Sequence, residues 1–138
     1  MAEEGLGRIR RVNFLDSDVL IEIQRLSPAS QEWITSNASV PFMLPAPVAI
    51  EFLIGSRNRL ELSRASSILS QFTIEWLSKS DSSLALDLVS QFRLTTGLGF
   101  ADFHIAAQAL NRGATLYTFN LKHFAAISGL DARSPFMR

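Results

Sequence analysis

The sequence has no cysteine among its 138 residues. That excludes disulfides, thiolate metal ligands and a cysteine nucleophile, and it suits a reducing cytoplasm. Lysine is scarce, with only Lys79 and Lys122, so arginine supplies nearly all of the 13 basic residues. Net charge is missing as well: 13 basic residues balance 13 acidic ones, which argues against a protein that coats polyanions through bulk charge. Long apolar runs are also lacking. The longest uncharged stretch, residues 33–50, carries Pro41, Pro45 and Pro47 among polar residues, so no single helix can cross a bilayer through it. No membrane segment is expected. The acidic start, Met1-Ala2-Glu3-Glu4-Gly5, lacks the basic and apolar regions of a signal peptide, and the expected location is the cytoplasm.

What is present describes a folded domain. A hydrophobic content of 47% with 19% charged residues belongs to a globular chain, and the length suffices for one good core. The expected organisation is an N-terminal extension over residues 1–11 and a single domain over 12–138. Arginines gather at Arg8, Arg10 and Arg11 and at Arg57, Arg59 and Arg64; their planar forks suit phosphate, although for either group a solvated face or ion pairing is the reading that comes first.

Short apolar runs alternate with amphipathic helical stretches, the pattern of an α/β protein with a mainly parallel sheet. Residues 12–16 read as the first strand, with Asp18 as the N-cap of a helix to about Leu26, stopped by Ser27-Pro28. A helix around 31–36 and a strand near 42–44 follow, and Pro47 opens a helix that carries Glu51 and ends near Gly55. Ala65, Ile68, Leu69 and Phe72 recur at helical spacing. Residues 73–77 read as a strand, and Leu84, Leu88 and Phe92 share one face of the next helix. A helix from Phe100 stops at Gly113, residues 115–119 form a buried strand, Asn120 caps a short helix, and 130–133 add an edge strand.

Three acids stand in apolar surroundings. Asp16 ends the run Val12-Asn13-Phe14-Leu15, Glu51 lies within Val48-Ala49-Ile50-Glu51-Phe52-Leu53-Ile54, and Asp102 opens an apolar helix. Carboxylates withdrawn from water need a partner, and few cations are near them in sequence, which points to a shared divalent metal. In open parallel sheets ligands bind beyond the carboxyl ends of the strands. Asp16 and Asn120 each follow a strand, and Glu51 and Asp102 ride on helices that begin at that edge.

The strings Phe14-Leu15-Asp16-Ser17-Asp18-Val19-Leu20-Ile21, Val48-Ala49-Ile50-Glu51-Phe52-Leu53-Ile54-Gly55, Ala101-Asp102-Phe103-His104-Ile105-Ala106-Ala107-Gln108-Ala109-Leu110 and Gly113-Ala114-Thr115-Leu116-Tyr117-Thr118-Phe119-Asn120-Leu121-Lys122-His123-Phe124 resemble, in order, the acidic motifs of PIN-domain ribonucleases. They are most similar to VapC toxins of toxin–antitoxin pairs. The resemblance spans roughly residues 12–135. It implies a PIN-like α/β/α sandwich and an acidic pocket for Mg2+ or Mn2+. It further implies cleavage of an RNA substrate, a homodimer, and a cognate antitoxin in the active-site groove. By position, Asp16, Glu51 and Asp102 take the places of the principal acids, and Asn120 takes a fourth place that holds Asp or Asn in the family. Where it is Asn, an acid often follows three residues later; here that residue is His123, which weakens the case for a second metal.

The chemistry fits these residue types. Hydrolysis of a phosphodiester needs an activated water and a neutralised phosphate, and a hard cation held by one or two carboxylates supplies both. The expected roles are Asp16 and Asp102 as metal ligands, Glu51 as ligand or base toward the attacking water, and Asn120 in the outer shell, with Ser17 and Thr118 as candidate hydrogen-bond donors. His104, about 200° around the helix from Asp102, and His123 read as structural or surface residues. Two rivals stand beside this reading. One is a PIN-like binding module that has lost catalysis. The other is a phosphatase of the haloacid-dehalogenase type, suggested by Asp16-Ser17-Asp18 but lacking that family's later acidic pair.

Overall fold

The computed structural model describes residues 11–138; the expectations for Arg8 and Arg10 lie outside these residues. Twelve elements follow in chain order. They are β1 (Asn13–Leu15), α1 (Ser17–Gln24), α2 (Pro28–Ser36), β2 (Phe42–Pro45), α3 (Ala46–Ile54) and α4 (Arg59–Leu69). Then come β3 (Thr73–Glu75), α5 (Lys79–Phe92), α6 (Phe100–Arg112), β4 (Thr115–Tyr117), α7 (Leu121–Phe124) and β5 (Asp131–Arg133). The five strands form one parallel sheet in the order β3-β2-β1-β4-β5. Helices flank it to give the expected α/β/α sandwich.

The strand order creates the site. From the central β1 the chain winds outward through β2 and β3, then returns to lay β4 against the other side of β1. Neighbouring connections therefore diverge between β1 and β4, where a parallel sheet leaves a crevice at its carboxyl edge. The ladder pairs Leu15 with Tyr117, and the Asp16 N–H donates to the Tyr117 carbonyl at 2.9 Å. Asp16 and Thr118 thus emerge side by side.

The strands are shorter than the apolar runs that announce them. β3 ends at Glu75 because Trp76 and Leu77 turn out to solvent. β1, β2 and β4 are nevertheless firmly placed, since Phe14, Leu15, Leu44 and Leu116 are fully buried and pack with Val19, Val48, Ile105 and Ala106 in a single core. Ser27-Pro28 does more than stop α1. Ser27 Oγ accepts from the Ser30 N–H at 3.2 Å and Pro28 occupies the first turn of α2, so that helix starts three residues before the expected Gln31. Similarly, α3 begins at Ala46, with Pro47 second.

Two locks hold the helices and the far edge of the sheet. Asp81, fully buried, accepts from both terminal nitrogens of Arg112 at 2.8 Å and from Asn111 Nδ2 at 2.8 Å, and it closes a capping box with Ser78. These bonds hold its carboxyl well below the usual range, the Arg112 bonds most strongly; removing one partner of such a pair costs about 3–5 kcal/mol. At the amino edge, Arg11 bridges Thr115 and Asp131, joining the start of the described chain to β4 and β5.

One helix end carries local strain. After α1, the Leu26 N–H donates to the Ile23 carbonyl and the Ser27 N–H to the Glu22 carbonyl, the paired bonds of a Schellman motif. The residue in the left-handed position is Leu26, φ +55°, where glycine is the usual occupant. Its side chain is exposed, so little packing is at stake. Leu26→Gly should stabilise the protein by about 0.5–1 kcal/mol, raising Tm by about 2–4 °C in thermal unfolding; an unchanged or lower Tm would show that the turn is not strained.

Candidate active site

An open cleft of about 300 Å³ lies at the carboxyl edge of β1 and β4, and Asp16, Glu51, Asp102 and Asn120 all line it. The four residues singled out in the sequence are therefore brought together. Asp18 lines it as well.

Asp16 is the helix cap that had been expected at Asp18. Its Oδ1 accepts from the Ser17 N–H at 2.7 Å, and its Oδ2 accepts from Thr118 Oγ1 at 2.8 Å. Thr118, fully buried, in turn accepts from the Asn120 N–H at 2.9 Å. A relay of bonds thus fixes the central acid against the chain beyond β4. Asp18 sits instead in the first turn of α1, where one oxygen accepts from the Phe119 N–H at 3.1 Å and the other is buried without a protein partner. Sequence reading missed it because both aspartates suit a cap; the signal available was two acids separated by one residue at a strand end.

Glu51 corrects another expectation. Its apolar neighbours suggested an acid taken out of water, yet Glu51 is exposed to the cleft, and Ile50 and Ile54 beside it are exposed too. Ser17 Oγ donates to Glu51 Oε1 at 3.0 Å, tying α3 to α1. Asp102, half-buried in the first turn of α6, accepts from the Gly99 N–H at 3.0 Å. Only Asp16 of the three is buried. Asn120 occupies the cap position of α7 but makes no side-chain capping bond, so its amide is not committed to the helix. His123 packs against Gly97, away from the cleft, and His104 Nδ1 lies 3.1 Å from the Phe100 carbonyl on its own helix, matching their structural reading.

The electrostatics follow from crowding. Burial pushes the Asp16 carboxyl up to about 7, and the charges of Asp18 and Asp102 add to it against the bonds from Thr118 and Ser17. Asp18 is raised by burial. Glu51 is raised by loss of water and by Asp102 and Asp18, against the Ser17 bond. The protein holds these acids together at an electrostatic cost that a cation would relieve.

Among the described residues no three His, Asp or Glu side chains are gathered into a ready-made metal-ligand cluster. The donor set nonetheless fits a hard divalent cation: carboxylates and an amide oxygen line one cleft, and a buried Asp18 oxygen lacks a partner.

The PIN domain profile matches residues 14–130. The chain belongs to the PIN-domain family. Solved structures share this fold at low identity. VapBC2 from Rickettsia felis, bound to a promoter DNA fragment, has a TM-score of 0.79 at 20% identity, over 89% of this chain and 98% of that one. A toxin–antitoxin complex from Klebsiella pneumoniae has a TM-score of 0.72 at 20% identity, over 91% and 99%. FitAcB from Neisseria gonorrhoeae has 0.68 at 21% identity, over 90% and 98%. Among curated proteins none matches. These structures establish the likeness of this PIN domain in fold, and the acidic cleft lies where its topology opens the sheet.

The raised Asp16 pKa has a definite sign for stability. The folded state binds the proton more tightly than the unfolded chain, so metal-free stability falls as pH rises from about 4 to about 7, by on the order of 4 kcal/mol for this group alone. Asp18 and Glu51 act in the same direction. Asp81, depressed, acts oppositely, and its contribution is lost only in acid below the ordinary carboxylate range. Thermal unfolding with a chelator should show Tm declining across that window, and Asp16→Asn should flatten the decline and raise Tm at neutral pH. A Tm profile identical in the two proteins would refute this account.

Proposed function

We propose that the protein is a metal-dependent endoribonuclease, the toxin of a toxin–antitoxin pair. The observation that carries this reading is the convergence of Asp16, Asp18, Glu51, Asp102 and Asn120 on one cleft. PIN domains are generally nucleases, and the structures of similar fold include toxin–antitoxin complexes. The same reading brings a cognate antitoxin as partner, a homodimer as the assembled form and the cytoplasm as the setting. No described helix is long and apolar enough to cross a membrane.

Asp16 and Asp102 would hold Mg2+ or Mn2+, with Glu51 as a further ligand. When bound, the ion would lower the pKa of water and offset charge on the phosphate. The chain's own groups do the positioning. Thr118 holds the Asp16 carboxylate toward the cleft through its 2.8 Å bond, and Ser17 steadies Glu51. Glu51, exposed to the cleft and raised in pKa, is suited to accept the proton of the attacking water. Asn120 offers an amide oxygen without adding negative charge. Next to the cleft, sharing Ser17 and Glu51 with it, a groove of about 620 Å³ is lined by Arg25, Arg57 and Arg64. Glu61 lines it too and pairs with Arg57 at 2.9 Å, while Arg25 pairs with Glu22 at 3.4 Å, so it is a groove of mixed charge whose arginine forks offer contacts to the phosphates of a strand leading to the acids.

The phosphatase alternative has less support. A phosphatase of that type is expected to carry a lysine downstream of its nucleophile, and neither Lys79 nor Lys122 lines the cleft. The non-catalytic module is separated by experiment. With Mg2+ or Mn2+ the protein should cut single-stranded RNA, a chelator should stop cleavage, and Asp102→Asn should reduce the rate by about a hundredfold or more while far-UV circular dichroism stays unchanged. RNA binding without metal-dependent cleavage would support the binding module and end the nuclease reading.

A further inference from the structure

Among the described residues the acidic cleft has one cation in its lining, Arg138, which the sequence motifs did not mark. Its placement is built from distant parts of the chain. The guanidinium carbon lies 4.7 Å from the centre of the Phe119 ring, and Nε lies 3.7 Å from Glu22 Oε2. Phe119 packs edge-on against Phe136 at 5.2 Å, and Phe136 reaches Trp33 at 5.9 Å. Trp33 itself contacts Phe42 and Tyr117 on β2 and β4. An aromatic ladder thus carries residues 136–138 across the sheet and sets the arginine at the cleft's rim.

Among the described residues this arginine shares its ion-pair partner and stands beside the acids of the cleft. Glu22 faces two guanidiniums, Arg25 at 3.4 Å and Arg138 at 3.7 Å, so one carboxylate serves two cations. On the other side, four carboxylates line the cleft, and a phosphodiester brought there adds another negative charge. A divalent cation offsets only part of that repulsion. Arginine's planar fork suits the remaining need, since it presents paired donors to phosphate oxygens, and stacking on Phe119 orients its plane in advance.

We propose that Arg138 is a phosphate-binding residue of this cleft, contacting the RNA backbone beside the bond that is cut. This rests on the ribonuclease reading above. Arg138 positions the strand while the acids carry out the chemistry.

The test uses the full chain and a fluorescein-labelled single-stranded RNA of mixed sequence. Anisotropy is measured over a KCl series in an Asp102→Asn background with Mg2+. Adding Arg138→Ala should weaken binding about tenfold and reduce the slope of log affinity against log salt by about 0.7, one phosphate contact on a single strand. Arg138→Lys should keep the slope and recover part of the affinity. In the otherwise native protein, Arg138→Ala should raise KM with little change in kcat. An unaltered salt slope would overturn the proposal, as would faster cleavage by Arg138→Ala, which would make the side chain a plug of the cleft. If the native protein cuts RNA but binds it independently of Arg138, the arginine's role alone fails. If it binds RNA with an Arg138-dependent slope and cuts none with Mg2+ or Mn2+, the ribonuclease reading fails while the phosphate contact stands. A protein that neither binds nor cuts overturns both.

Discussion

The pairing of β1 with β4 positions the rest of the site. Two strands about a hundred residues apart in sequence lie side by side, and at their carboxyl ends Thr118 donates a hydrogen bond to Asp16 across a separation of 102 residues. The buried hydroxyl satisfies an acid that burial alone would leave costly, and it is itself held by the Asn120 N–H. Through this one contact the first strand, the first helix and the turn into α7 acquire a common geometry. α3 joins through Ser17 and Glu51. α6 brings Asp102, anchored by its own helix start.

Structure and electrostatics work against each other in the cleft. The core beneath it is apolar and closely packed, with Phe14, Leu15, Val19 and Leu116 out of water, whereas above it burial, and then the charges of Asp18 and Asp102, raise the proton affinity of Asp16 and Glu51. The fold is held elsewhere, by that core and by locks such as Asp81–Arg112. The separation lets the site keep unfavourable charge without unfolding.

The sequence was most legible where chemistry and topology coincide. Asp16 and Asn120 follow apolar strands, Asp102 sits in the first turn of α6, and Glu51 lies in the second half of the nine-residue α3, on helices that both begin at that edge; the strand-end rule therefore predicts their meeting from order alone. Burial was less legible. The apolar residues around Glu51 suggested an interior acid, but on a helix the neighbours of an exposed residue point in several directions, and Ile50 and Ile54 are themselves exposed. Asp18 suits a cap as well as Asp16 does in the sequence, and only the fold distinguishes them: Asp16 caps α1 and lines the cleft at once, with Asp18 in the first turn behind it. Arg138 left no local trace, since contacts among Phe119, Phe136 and Trp33 set its position.

The ladder joining β1 to β4 is only three residue pairs long. Side chains alternate between the faces of a strand, so a slip of one residue would turn Asp16 away from Thr118 and carry it to the opposite face. So short a ladder has no spare rungs to absorb an insertion. The turn at Gly113 and Ala114, which sets the register of β4, should therefore be nearly fixed in length across evolution. The exposed turn at Leu94 and Thr95, which leaves the ladder untouched, is free to grow or shrink.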